Sequence, residues 1–281
     1  MIGESELRRM QAIVSLAWGP AQRWTPGEVA WAVRTEPGGH EVSFVDDGFV
    51  WRQEDYLVVV GVVDPSALDR AVLGATGAVQ VHDHDGALLA ALARAGFVED
   101  GDAPFELDLR LRASSAGPPR VAPGYRVRSA VEGDDLVGVH GASWRPADLP
   151  FAPGHDPPVD PAATSSFDAE RLRDVQASAP YDLDLHVVAE APDGSLAGSC
   201  IAWLDPATKV ASIEPLGIVA GHRRRGLAGA LCLEVARLVA ARGGTEVVIH
   251  PRGDAAYPAA RGAYLRVGFE PVGRTMVFRR A

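Results

Sequence analysis

The residues best equipped for chemistry cluster between Glu214 and Phe269. Arg223-Arg224-Arg225-Gly226-Leu227-Ala228 makes a basic glycine turn. A β-type run, Ala211 to Val219, leads into it, and an amphipathic helix leaves it with Leu227, Leu231, Val235 and Leu238 on one face. The first N–H groups of such a helix have no internal acceptor, and the positive end of the helix dipole adds to their field. Together they form a socket for an anion, with phosphate the foremost candidate. Gly226 lets the backbone come close to that anion, and the small Ala228 keeps the approach clear. A lone short glycine motif also fits an ordinary basic helix N-terminus, so its context decides.

That context includes a second signature, Tyr264-Leu265-Arg266-Val267-Gly268-Phe269, beyond the helix and a further strand. The two together resemble the GNAT superfamily of acyl-CoA-dependent N-acyltransferases. The family's pyrophosphate loop, Q/R-x-x-G-x-G/A between strand and helix, is met by Arg223, Gly226 and Ala228. Its Y-x-x-x-G-F is met by Tyr264, Gly268 and Phe269. The resemblance implies acetyl-CoA as acyl donor, held at Arg223, Arg224, Arg225, Gly226, Leu227 and Ala228. It also implies that the strand at Leu216-Gly217-Ile218 splays from its neighbour and binds the acyl carbonyl and pantetheine as an added strand would. Pro215 lacks an N–H and suits a break in pairing there. Tyr257 stands seven residues before Tyr264, where the family often carries an asparagine on the cofactor. It is the departure within the cofactor-binding set.

Acyl transfer from a thioester to an amine needs a neutral amine, a polarised carbonyl and a proton for the leaving thiolate. Glu214, on the strand approaching the turn, is the expected base, working through ordered water as the family's carboxylates often do. The alternative is a solvated or ion-paired strand residue. Tyr264 is the expected general acid, because a phenol of pKa about 10 can protonate a thiolate. Its alternative is a core aromatic beside Phe269.

The chain has 281 residues, 47% of them apolar, which suits two domains with sizeable cores. No apolar run is long enough to span a membrane and no secretory leader is visible, so the expected location is the cytoplasm, without a membrane partner. Cys200 and Cys232 read as small core residues in a reducing compartment. A net charge of −10 argues against nucleic-acid binding and suits a cationic amine drawn to an acidic surface. His82-Asp83-His84 puts two imidazoles on one strand face, but no further ligand is evident, so surface residues and no metal are expected. His250 reads as a structural histidine at a strand end.

Ala113-Ser114-Ser115-Ala116-Gly117-Pro118-Pro119 lacks periodicity and reads as an exposed linker. The expected fold is α+β, with a mixed, mostly antiparallel sheet flanked by helices in each of two GNAT-like domains in tandem. A degenerate domain spans 1–112, the linker 113–123 and the catalytic domain 124–281. The first half echoes the second. Glu4 to Trp18 reads as a helix, and the capping box Thr25-Pro26-Gly27-Glu28 opens another. Gly61-Val62-Val63 stands where Gly217-Ile218-Val219 stands later, and Leu88 to Phe97 echoes the segment ending in Phe269. Yet Asp64-Pro65-Ser66-Ala67 replaces the arginine–glycine turn, Leu92 replaces Tyr264, and Val58 takes the register of Glu214. Unrelated halves are the alternative. The tandem pattern resembles GNAT proteins of the mycothiol synthase type.

Trp144 to Ser165 is long and rich in proline and aspartate (Asp148, Asp156, Asp160), and reads as a lid over the acceptor. The expected activity is N-acetyl transfer to the primary amine of a small molecule, by a monomer or homodimer. The alternatives are an acetyltransferase of mycothiol biosynthesis and a non-catalytic acyl-CoA-binding module.

Overall fold

The computed structural model describes residues 2–36, 40–53, 56–155 and 163–281. The chain divides into two compact units, Met1–Asp108 with Pro271–Ala281, and Leu109–Glu270.

Unit 1 opens with α1 (Glu4–Leu16) and α2 (Pro26–Thr35). Thr25 caps α2 as its sequence demands: its side chain accepts the Glu28 N–H, and the Glu28 carboxylate accepts the Thr25 N–H. β1 (Glu41–Val45), β2 (Gly48–Arg52) and β3 (Tyr56–Val60) are successive antiparallel neighbours. α3 (Pro65–Leu73) then crosses to β4 (Ala78–His82), which lies parallel to β3. α4 (Gly86–Arg94) and β5 (Phe97–Glu99) follow. One core cluster gathers Met10, Val14, Phe49 and Trp51; another gathers Leu68, Val72, Leu88 and Leu92.

Before unit 2 repeats this order comes β6 (Leu107–Arg112). β7 (Arg126–Ser129), α5 (Leu136–Ser143) and α6 (Ala169–Ala177) precede β8 (His186–Glu190), β9 (Leu196–Asp205) and β10 (Val210–Ile218). β7 to β10 pair antiparallel along the sheet in the order β7-β8-β9-β10. α7 (Leu227–Ala241) crosses to β11 (Glu246–Ile249), parallel to β10, and α8 (Pro258–Arg266) follows. Cys200 in β9 and Cys232 in α7 are free and buried; burial pushes both thiols up, Cys232 to about 12.

The closing strands are exchanged. β6 follows α4 of unit 1, yet Leu109–Arg112 pairs antiparallel with β11 of unit 2. β12 (Glu270–Arg280) follows α8 of unit 2, yet pairs antiparallel with β4 and β5 of unit 1. The expected spans 1–112 and 124–281 follow the chain and therefore run across this exchange. Alternation sets which face of a strand is buried, but it does not name the partner strand.

Two smaller expectations change. The register of Glu214 was assigned to Val58; measured from the first pair of each parallel ladder, Val58 matches Ser212. Val60 then stands opposite Glu214 in the repeat, so a valine still replaces the carboxylate. The segment expected as an exposed linker starts with a short 3-10 turn, Ala113–Ser115, whose Ala113 is buried and donates its N–H to the Thr245 carbonyl.

Candidate active site

Irregularity in β10 creates the site. Its register with β9 shifts between Ile213 and Leu216, a bulge holding Glu214 and Pro215. Its parallel ladder with β11 covers only Val210–Ser212. Past Ser212 the edge that faced β11 is unpaired among the described ladders, which is the splay expected at Leu216-Gly217-Ile218. Trp203 of β9 fastens the bulge by donating its indole N–H to the Glu214 carbonyl at 2.6 Å.

A 3-10 turn at Ala220–His222 then leads into the basic turn. Arg224 (φ 63°) and Gly226 (φ 79°) adopt the left-handed region, a backbone path that turns successive N–H groups to one side. Gly226 is the N-cap of α7 and has no side chain to occupy the helix terminus. The N–H groups of Leu227, Ala228 and Gly229 therefore stand open at the head of a 15-residue helix. Arg223 does something else with its side chain. Its guanidinium donates to the carbonyls of Ile218 (3.0 Å), Ser143 (3.2 Å) and Asp148. It thereby ties the end of β10, the end of α5 and the following loop to one another. Arg224 and Arg225 are exposed, and the Arg225 guanidinium lies 5.6 Å from the Tyr125 ring centroid.

A cavity of about 1100 Å³ takes in this helix terminus, the splayed strand and one side of α8. Every expected site residue lines it except Arg225 and Glu214. Three contributors come from the segment read as a linker, Gly117, Pro118 and Arg120, so that segment is a wall rather than a free connection. Ser143, Trp144 and Pro150 also line it. Nothing in the sequence marked Ser143 beyond its place at a helix end.

Tyr264 is 6% exposed, and its ring centroid lies 6.1 Å from that of Phe269. Burial pushes its phenol well above the usual tyrosine value, and the Glu214 carboxylate pushes in the same direction. The phenol is thus held protonated, the state an acid requires. Glu214, half-buried in the bulge, is close enough to act on it. Tyr257, the N-cap residue of α8, stands edge-on to Phe151 at 5.0 Å. The Ala152 N–H donates to the Ala256 carbonyl at 2.9 Å, which seats the first part of the expected lid against the head of α8. Asp148 is half-buried there; Asp156 and Asp160 lie outside the described residues.

Beyond the bulge, burial holds two histidines neutral. His140 and His186 are both pushed down to about 4, and each ring has aromatic company. His140 lies 4.3 Å from Phe167, and His186 Nδ1 is 3.1 Å from the Tyr181 hydroxyl. In unit 1, His84 is exposed as expected, but His82 is buried. Its Nδ1 accepts the His84 N–H at 3.2 Å, and its Nε2 is 3.7 Å from the Asp108 carboxylate. Gly273 makes room for it: a Cβ there would come within 2.4 Å of the ring. His250 is also buried, at the end of β11.

Comparison with known proteins agrees with this geometry. Residues 157–269 match the acetyltransferase (GNAT) family model. A mycothiol acetyltransferase from Saccharomonospora viridis is 27% identical over 166 residues, which cover 55% of this chain and 48% of that protein. The match thus spans about half the length of that curated relative. Among solved structures, a GNAT-family acetyltransferase from Colwellia psychrerythraea aligns with 98% of this chain and 97% of its own, at TM-score 0.61 and 13% identity. A tandem GNAT protein from the clavulanic acid biosynthesis pathway aligns with 97% and 91%, at TM-score 0.56 and 14% identity. These likenesses show the fold over nearly the whole chain, and the family match falls on the unit that holds the cavity. Residues 157–269 are thus similar to the acetyltransferase (GNAT) family, within a chain whose fold is that of GNAT proteins.

Proposed function

We propose that unit 2 transfers an acetyl group from acetyl-CoA to the primary amine of a small molecule, by direct attack on the thioester. The observation that carries this reading is the single cavity that joins an open helix N-terminus, an unpaired strand edge and a buried phenol. The N–H groups around Gly226 receive the pyrophosphate. The free backbone of Leu216, Gly217 and Ile218 pairs with pantetheine and the acyl carbonyl. Arg224 and Arg225 are placed to meet phosphates from the solvent side, while Arg223 keeps the turn in place through its three carbonyls.

In this reading Glu214 takes the ammonium proton through water, since it does not itself line the cavity. The amine nitrogen attacks the carbonyl carbon, the C–N bond forms and the C=O electron pair moves to oxygen. Collapse breaks the C–S bond, Tyr264 gives its proton to the thiolate, and the extra proton on the attacking nitrogen passes through water back to the Tyr264 oxygen. The products are the acetamide and free CoA. Two free cysteines and the absence, among the described residues, of a helix long and apolar enough to cross a membrane fit action in the cytoplasm.

The mycothiol acetyltransferase likeness favours one second reading, an amine on a sugar-linked thiol as acceptor. The test is turnover of acetyl-CoA with a panel of amines that includes such a compound, read by release of free thiol and mass of the product. Acetylation of one class of amine is expected. Tight acetyl-CoA binding without turnover on any amine would instead support a non-catalytic acyl-CoA-binding module.

A further inference from the structure

Ser143 ends α5 and lines the cavity, yet it is buried to 3% exposure and its Oγ has no hydrogen-bond partner. A buried hydroxyl without a partner is destabilising, so its persistence at a cavity wall calls for a partner that comes and goes. Trp144, next in the chain, also lines the cavity, and no described hydrogen bond engages its indole N–H. The two donors converge. A Cβ built on Gly217 would stand 3.2 Å from Ser143 Oγ and 2.8 Å from Trp144 Nε1. Gly217 is therefore a site of close approach, where the absent side chain lets the end of α5 sit directly on the backbone of the splayed strand. The Arg223 guanidinium, which also donates to the Ile218 and Asp148 carbonyls, holds Ser143 by donating to its carbonyl at 3.2 Å.

We propose that Ser143 Oγ–H and Trp144 Nε1–H form a side-chain oxyanion subsite for the acyl carbonyl oxygen. The inference rests on the reading of Leu216-Gly217-Ile218 as the segment that carries the thioester. An indole that can only donate, beside a hydroxyl free to donate, favours an oxygen with lone pairs, and the thioester carbonyl is the group whose oxygen gains charge during attack. As the C–N bond forms, the carbonyl electron pair moves onto this oxygen; as the C–S bond breaks, it returns. Both donors therefore bind more strongly in the transition state than in the ground state. The pair supplements strand N–H groups with side chains, which makes it separable by mutation.

The test needs no acceptor. The carbonyl stretch of acetyl-CoA labelled with ¹³C at the thioester carbon is recorded by infrared difference spectroscopy, free and bound to the full chain. Hydrogen bonds to the oxygen lower the band, so the wild-type complex should show a downshift. Ser143→Ala and Trp144→Phe should each move the band part of the way back toward the free value, and the double variant further, with acetyl-CoA affinity within about threefold of wild type as expected for interactions made mainly in the transition state. Ser143→Ala should also melt no lower than wild type, because it removes an unpaired hydroxyl. A band unchanged in the double variant that still binds acetyl-CoA would overturn the subsite alone. A wild-type chain that does not bind acetyl-CoA would overturn the reading beneath it as well.

Discussion

Units 1 and 2 share the order helix, helix, three strands, helix, strand, helix, and differ most at the heads of α3 and α7. In unit 1 the N-cap of α3 is Asp64, whose carboxylate accepts the Ala67 N–H at 2.8 Å. In unit 2 the N-cap of α7 is Gly226, which offers nothing. One helix terminus carries its own anion, and the other has no side-chain cap. The rest of the contrast follows this choice. Leu92 is fully buried in the core of unit 1, while Tyr264 lines the cavity of unit 2. Helices α4 and α8 nonetheless end alike, on Gly96 (φ 76°) then buried Phe97, and on Gly268 (φ 102°) then buried Phe269. A shared frame with the open cap and the phenol in one copy alone fits duplication followed by divergence.

The strongest way to break the contrast is to give α7 the cap of α3. Gly226→Asp should place a carboxylate on the first-turn N–H groups and weaken acetyl-CoA binding by about 100-fold or more, since it both occupies the site and repels phosphate. Thermal stability should change little, because a cap gains ~1 kcal/mol and the left-handed φ costs a similar amount. Calorimetry and a melting curve read both. Unchanged affinity in a folded Gly226→Asp chain would remove the phosphate from this turn. Next, Tyr264→Phe makes the phenol position as inert as Leu92 while keeping the ring; kcat should fall by ~10–10³ with acetyl-CoA affinity retained. Full activity would assign thiolate protonation to water.

Glu214→Gln imitates the missing carboxylate of unit 1 more gently. The loss should be about tenfold at neutral pH and shrink as pH rises, where the amine sheds its proton unaided. A pH–rate profile superimposable on wild type would exclude Glu214 as base. The smallest effect concerns stability. His140 and His186 sit near 4 in the fold against an ordinary value of 6.5. Between these values the unfolded chain takes up protons that the folded one refuses, so unit 2 should lose stability as pH falls from 6.5 to 4. His186→Gln should flatten that slope in urea melts taken across the range. An equally steep slope would place the acid sensitivity elsewhere.

Much of the site was legible because it depends on local backbone chemistry. Gly226 before an amphipathic run, and Pro215 inside a strand, each announce their geometry through what one residue can or cannot do. The helix ends and the Thr25 capping box were readable for the same reason. What the sequence concealed depends on partners far along the chain. β6 and β12 have similar alternation, and nothing local says that each closes the other unit's sheet. Ser143 and Trp144 matter only because Gly217, more than seventy residues later, lets them approach. The motif places Arg223 in the CoA-binding turn, and the loop carbonyls that hold its side chain could not be inferred from it. The linker's place on the cavity wall was hidden in the same way.

The central claim is that one helix terminus of the two accepts acyl-CoA, and the stoichiometry of binding tests it most directly. Calorimetric titration of the full chain with acetyl-CoA should give one site per chain in wild type and none of comparable affinity in Gly226→Asp. Two sites per chain, or one site that survives Gly226→Asp, would show that the capped terminus of unit 1 binds the donor and would contradict the account.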